Sequence, residues 1–143
     1  MTGLVELRLP PDTQLVGLAR LVVVSAARTA GLDDERIEDL RLVVSEAITN
    51  AMLAHARHGR ETEPILLSLE DVRSADGQGA WFAVTVRDAG PGFDHHACAA
   101  RERDWSEEHG LGLTLIKGLA DHAEFVHEEG MRVRLSFDLP TAV

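Results

Sequence analysis

Three clusters of residues have the types and spacing that chemistry needs. The first is Asp88-Ala-Gly-Pro-Gly-Phe-Asp94, in which a carboxylate closes the run Trp81–Arg87. That run is β-branched and aromatic and reads as a strand. A carboxylate at the end of a buried strand needs hydrogen-bond donors, while Gly90 and Gly92 let the backbone turn and approach a ligand closely. A sharp surface turn has the same composition. The second cluster is Glu46 and Asn50, four residues apart within Asp33–Ala56, where Leu40, Val44, Ala47 and Ala51 recur at helical spacing. Both polar residues therefore project from one helix face. A carboxylate can take a proton or orient a hydroxyl, and an amide oxygen is a hard ligand suited to magnesium. A solvated polar stripe would show the same pattern.

The third cluster is His109-Gly-Leu-Gly-Leu-Thr-Leu-Ile-Lys117, which leads into the apolar positions Leu113, Ile116, Leu119 and Ala120. A glycine-rich loop opening a helix exposes free N–H groups at the positive end of the helix dipole, which suits an anion. A flexible helix start reads alike. The Gly-Lys-Ser/Thr ending of a Walker loop is absent, and no predicted strand runs into the segment as a dinucleotide fingerprint requires. Gly118 inside this helix costs about 1 kcal/mol relative to alanine.

Taken in order, the trio resembles the GHKL ATPase superfamily and, within it, the bacterial anti-sigma factor serine kinases. Val43-Val-Ser-Glu-Ala-Ile-Thr-Asn-Ala51 is similar to the family's N box, Asp88–Phe93 to its first glycine box and Gly110-Leu-Gly-Leu-Thr114 to its second. The resemblance runs from about Val5 to Leu139. It implies a Bergerat, histidine-kinase-like ATPase fold that uses ATP and Mg2+. By it Glu46 is the general base toward a substrate serine, and Asn50 holds magnesium. Asp88 accepts from the adenine amino group, Gly90 and Gly92 admit the ring, and Gly110, Leu111, Gly112, Leu113 and Thr114 contact phosphates. The partners it implies are a sigma factor held inactive, a STAS-type anti-anti-sigma protein as phosphate acceptor, and a second copy in a homodimer. Arg20 matches an arginine with which the family grips partners, although a solvated helix position is the plain alternative. A binding module that has lost phosphoryl transfer is the second functional reading. A switch kinase acting on a stressosome-type scaffold fits less well, because Thr114 and Ile116 stand where its second glycine box carries further glycines.

The chain departs from that family in three places. Many relatives have histidine four residues after the asparagine, where Ala54 stands here and His55 follows. The family usually follows the glycine before its last strand with a threonine that supports the adenine-binding aspartate. Here Gly130 is followed by Met131, whose side chain cannot donate. Thirdly, His95–Glu108, between the glycine boxes, lacks the usual lid residues. His95, His96 and His109 have no companion ligands at zinc spacing, so this segment reads as a polar lid.

The elements that must hold these clusters follow from periodicity. Val5–Leu9 alternates as a strand. Thr13–Ala30 reads as a helix with Leu15, Leu18, Leu21, Val22 and Ala26 on its apolar face and a stop at Gly31. The motif helix follows, N-capped by Asp33. Ile65–Val72 and Trp81–Arg87 form a hairpin around 74–79, and Ala123–Glu128 pairs with Met131–Leu139 around Glu129-Gly130. The pattern predicts an α+β class: a two-layer sandwich, its mixed, mostly antiparallel sheet carrying helices on one face. The β-branched Val22-Val-Val24 exceeds what one face needs and suggests a dimer interface.

Composition sets the outer bounds. With 143 residues and 45% apolar content, one domain over 1–143 can bury a core unaided. Net charge −10 and a pI of about 5.0 argue against direct nucleic-acid binding. No apolar run approaches the roughly 20 residues of a membrane span, and the start lacks a signal-peptide pattern. Cys98 is the sole cysteine, so no internal disulfide forms. A cytoplasmic setting is the expectation.

Overall fold

The computed structural model describes residues 3–60, 62–88, 114–127 and 130–140. Among these residues five strands form one sheet: β1 (Gly3–Leu9), β2 (Ile65–Arg73), β3 (Ala80–Arg87), β4 (His122–His127) and β5 (Met131–Asp138). Their order is β1-β2-β3-β5-β4, and all four pairings are antiparallel. Two long helices, α1 (Val16–Ala30) and α2 (Asp34–Arg57), pack against the sheet, and a 3-10 turn at Thr13–Leu15 leads into α1. Residues 114–119 are helical, and their Ile116 joins the same core. The expected two-layer α+β arrangement is therefore present, with Leu67, Val84, Leu135 and Phe137 of the sheet meeting Ile37, Leu40, Val44 and Ile48 of α2 in one apolar cluster. No helix among the described residues is long and apolar enough to cross a membrane.

The junction between the helices is built from two caps. Gly31 takes φ +106, a conformation that glycine adopts without strain, and donates to Ala27 and Arg28 carbonyls while Leu32 N–H reaches Ala27 O at 3.0 Å. Asp33 then accepts from Arg36 N–H at 3.0 Å and N-caps α2, with Asp34 and Glu35 in its first turn. All four expected core positions of α2, Leu40, Val44, Ala47 and Ala51, are buried.

The apolar face of α1 differs from the expectation. Ala19, Val23, Val24 and Ala27 are buried, whereas Leu18 and Leu21 stand 55% and 67% exposed. The small Ala19 and Ala27, eight residues apart, let α1 approach its neighbours closely, which the bulkier leucines could not do in that position. Of the valine triplet, Val23 and Val24 belong to the core and only Val22 lies half outside it.

The β2–β3 hairpin closes through Ser74, whose N–H donates to Gly79 O and whose Oγ donates to Asp76 Oδ1. That Ser74 hydrogen bond, with a second from Gln78 N–H, holds the Asp76 carboxyl below the usual carboxylate range. Gly130, with φ +115, turns the chain into β5.

Arg36 ties the helical layer to the sheet edge. Its guanidinium contacts Asp39 at 2.7 Å and Asp121 at 3.2 Å, donates to Leu119 O at 2.8 Å and lies 4.7 Å from the Phe137 ring centroid. The carbonyl it caps ends the helical stretch 114–119.

Gly118 lies exposed in that stretch, and a Cβ there would meet nothing within 4 Å. Gly118→Ala is therefore expected to stabilise the protein by about 0.5–1 kcal/mol through lost unfolded-state entropy. Urea unfolding should show a higher midpoint at unchanged slope, and an unchanged or lower midpoint would contradict this account.

Candidate active site

Helix α2 carries the polar pair one turn apart. Glu46 and Asn50 are both half-buried on a helix whose neighbouring positions Ala47, Ile48 and Ala51 are in the core. The helix thus presents its two candidate side chains at the margin of the apolar layer, where burial strengthens electrostatic interactions. Asn50 lines a small cleft together with Ala47, Asp88, Phe125 and Met131. Val86, Ile116 and Val133 complete its apolar walls. Glu46 is not among the lining residues and stands one turn further toward the start of α2.

Asp88 follows directly on β3 and is 8% exposed. Its Oδ1 accepts a 2.8 Å hydrogen bond from Met131 N–H, and its own N–H donates to Met131 O at 3.0 Å. The two residues therefore grip each other at the end of the β3–β5 ladder. This bears on the missing threonine: a main-chain donor serves the carboxylate, so Met131 does not leave that oxygen without a partner. A backbone N–H is available at this position whatever the side chain.

The displaced histidine also has a place. α2 continues through Arg57 before its cap at His58, so the helix end is not shortened. His55 is 1% exposed, and its Nδ1 lies 3.2 Å from Arg60 O and 3.0 Å from Glu63 O. It holds the turn that leads to β2. Its spacing put it one residue off the Asn50 face, and the structure turns it to this structural use.

Of the expected phosphate contacts, Thr114 is the first described helical residue and is exposed. Gly90, Gly92, Gly110, Leu111, Gly112 and Leu113 lie outside the described residues, as do the lid 95–108, His109 and Cys98. Among the described residues no group of three or more His, Cys, Asp or Glu side chains forms a metal cluster. Arg20 is half-buried on α1, and its Nη1 donates to Ser45 Oγ at 3.2 Å. Ser45 in turn donates to Arg41 O at 2.7 Å. Arg20 is thereby anchored to the residue preceding Glu46. It lines, with Arg28 and Arg41, a groove of 480 Å³ between the helices.

Phe125 was not singled out by the sequence. Its cross-strand pairing with Val133, a cleft residue on β5, places it there. Period-two alternation back from the Met131 turn carries that signal. The Lys117 Nζ sits 5.5 Å from the Phe125 ring centroid, which fixes the ring beside the cleft.

The cleft holds only about 20 Å³, against the ~300–1,000 Å³ of typical small-molecule sites. Met131 and Phe125 are the largest flexible and aromatic side chains that line it. The donor set suits a magnesium nucleotide: an amide oxygen for a hard cation, a carboxylate for an exocyclic amine, and apolar walls for a flat base.

Comparison with known proteins identifies the family. Residues 9–137 match the family model described as a histidine kinase-like ATPase domain. The protein named serine-protein kinase RsbW from Listeria monocytogenes is 36% identical over 137 residues, covering 90% of this chain and 83% of its own. Its namesake from Bacillus pumilus is 34% identical over 142 residues, covering 93% and 84%. The Staphylococcus epidermidis protein of the same name is 30% identical over 139 residues, covering 92% and 84%. Among solved structures, a chain of the SiaB–SiaC complex from Pseudomonas aeruginosa superposes with a TM-score of 0.56 at 15% identity, covering 94% of this chain and 89% of that one. That likeness concerns the fold. With residues 9–137 matching that model and Asn50 and Asp88 lining one cleft, the chain belongs to the histidine kinase-like ATPase domain family.

Proposed function

We propose that the protein is an ATP-dependent protein-serine kinase that acts as an anti-sigma factor, phosphorylating a STAS-type anti-anti-sigma protein and sequestering a sigma factor in the cytoplasm. The observation that carries this reading is the shared helix face: Asn50 opens onto the same cleft as Asp88, and Glu46 stands one turn away, outside the cleft. A nucleotide with its base against Asp88 and its phosphates near Asn50 would then end close to Glu46. The names of the relatives, serine-protein kinases, support the same activity.

The residues divide the labour as phosphoryl transfer demands, mostly by position and charge. Asp88, held by Met131 N–H, orients the base through its exocyclic amine. Asn50 would hold magnesium through its amide oxygen. When bound, magnesium neutralises the charge that develops on the phosphate oxygens. Glu46 takes the proton from the serine hydroxyl as its Oγ bonds to the γ-phosphorus and the bond to the ADP oxygen breaks. By the family resemblance, Thr114 and the glycine-rich segment before it would receive the phosphates. The net charge of −10 leaves no bulk positive field to assist, so the metal and the helix start carry that task. The cleft of about 20 Å³, which Met131 and Phe125 help to line, would have to widen for the base to enter.

Partner contacts fall on α1. Arg20, Arg28 and Arg41 border the groove beside Ser45, which suits carboxylates of a partner protein. A second copy would meet the edge strand β1, where Leu4 is 57% exposed, and the adjacent Leu21, Val22 and Ala26 of α1. An open strand edge beside exposed leucines is a pairing surface.

Three measurements test this reading. Calorimetric titration with Mg-ATP should show saturable binding that Asp88→Asn weakens by about tenfold or more. Absence of binding by the parent at millimolar ATP would favour the binding module without catalysis. Glu46→Ala should cut phosphate transfer to a STAS-protein serine by about 10²-fold or more while partner binding persists, and equal transfer by mutant and parent would refute the assignment of the base. Sedimentation velocity should find a dimer that Leu21→Glu converts to monomer, since a charge replaces an apolar contact. A parent that sediments as a monomer would refute the dimer.

A further inference from the structure

A groove of 710 Å³ lies on the sheet face opposite the helices, away from Asp88 and Asn50. The register sets one residue from each strand in a line across this face. Arg8 of β1 stands opposite Leu66 of β2, Leu66 opposite Arg87 of β3, Arg87 opposite Arg132 of β5, and Arg132 opposite Val126 of β4. Three of these five positions are arginine, and two of the three are direct cross-strand partners.

That arrangement is unfavourable for the isolated protein. Like charges directly opposed on neighbouring strands destabilise a sheet. The chain has 24 acidic against 14 basic side chains, so carboxylates are plentiful. Yet Arg8, Arg87 and Arg132 make no side-chain hydrogen bond or ion pair among the described residues. In the neighbouring line Arg134 is treated differently: its Nη1 meets Glu70 Oε1 at 3.1 Å and Thr85 Oγ1 at 3.4 Å. The fold pairs one arginine of this face with a carboxylate, whereas Arg8, Arg87 and Arg132, which share the groove with Glu6, have no ion-pair partner among the described residues.

We propose that this line is a docking surface for an acidic segment of a partner protein. Its carboxylates bind Arg8, Arg87 and Arg132, and an aliphatic side chain among them rests on Leu66, which is 37% exposed. Guanidinium groups favour carboxylates in paired, bidentate geometry. With neighbouring strands ~4.8 Å apart, the five positions span about 19 Å, the length of about six extended residues. A nucleic acid is the poorer occupant. Its phosphate backbone would extend past the row into the field of a chain with net charge −10. The row also has no aromatic side chain on which bases stack. Because the surface is on the opposite side of the sheet from Asp88, the proposal does not rest on the nucleotide reading.

The test uses the full chain and a fluorescent peptide of about eight residues, glutamates interrupted by a leucine, with the glutamine version as control. At low ionic strength the parent should bind the glutamate peptide saturably and the glutamine peptide not at all. The double variant Arg87→Thr/Arg132→Thr should bind the glutamate peptide about tenfold or more weakly. Its melting temperature should hold or rise, since an opposed like-charge pair is gone and threonine favours strands. Asp88→Asn should leave peptide binding unchanged, which separates this surface from the nucleotide site. Four results would overturn the proposal. They are no peptide binding by the parent, equal binding by parent and double variant, tighter binding of oligothymidylate than of the peptide, and a lower melting temperature in the double variant. The last would mean that the arginines serve the sheet itself.

Discussion

A carboxylate at the floor of an apolar cleft is the constraint around which this molecule is arranged. Asp88 is nearly enclosed, and a buried polar group without partners is costly. The solution is a double hydrogen bond with Met131, made by the backbone at the point where β3 and β5 stop pairing. Everything nearby follows from keeping that point in register. Gly130 makes the turn into β5 with a positive φ, the Val86 and Val133 neighbours wall the cleft, and α2 lies across it with Asn50 at its margin. The aspartate therefore belongs as much to the architecture as to the chemistry.

Much of this was legible in the residues, and the reasons differ by element. Asp33, Gly31 and the stripe through Leu40, Val44, Ala47 and Ala51 are local signals, and local signals fix caps and helix faces. The hairpins follow from turn chemistry at 74–79 and at Gly130. The face of α1 was misread because hydrophobicity ranks leucine above alanine, whereas close packing selected Ala19 and Ala27 and turned Leu18 and Leu21 outward. The roles of Phe125 and of Met131 depend on which strand lies beside which, and that is a property of the whole sheet. For Met131 the side chain drew attention while the main chain did the bonding. The order of the three clusters is in the sequence itself, and the roles proposed for them come from the family resemblance, since neither periodicity nor composition assigns them.

Charge is distributed with a purpose that the total conceals. An acidic chain would be expected to surround each of its few cations with carboxylates, and it does so for Arg36, Arg60 and Arg134. Among the described residues, Arg8, Arg87 and Arg132 lack such partners and share the open sheet face, while Arg20, held by Ser45, borders a second groove beside Arg28 and Arg41, which pair with Asp34 and Glu38. Surface ion pairs add little to stability, so the pattern speaks less of folding than of what the two surfaces meet.

Arg36 has a consequence beyond stability. One planar group bonds the carbonyl that ends the 114–119 helical stretch, two carboxylates on separate elements, and an aromatic ring of β5. The stretch is thus pinned at its far end and tied to the first turn of the helix that carries Glu46 and Asn50. A ligand arriving at its near end would therefore meet a short helical stretch whose far end is already anchored, through one guanidinium, to α2.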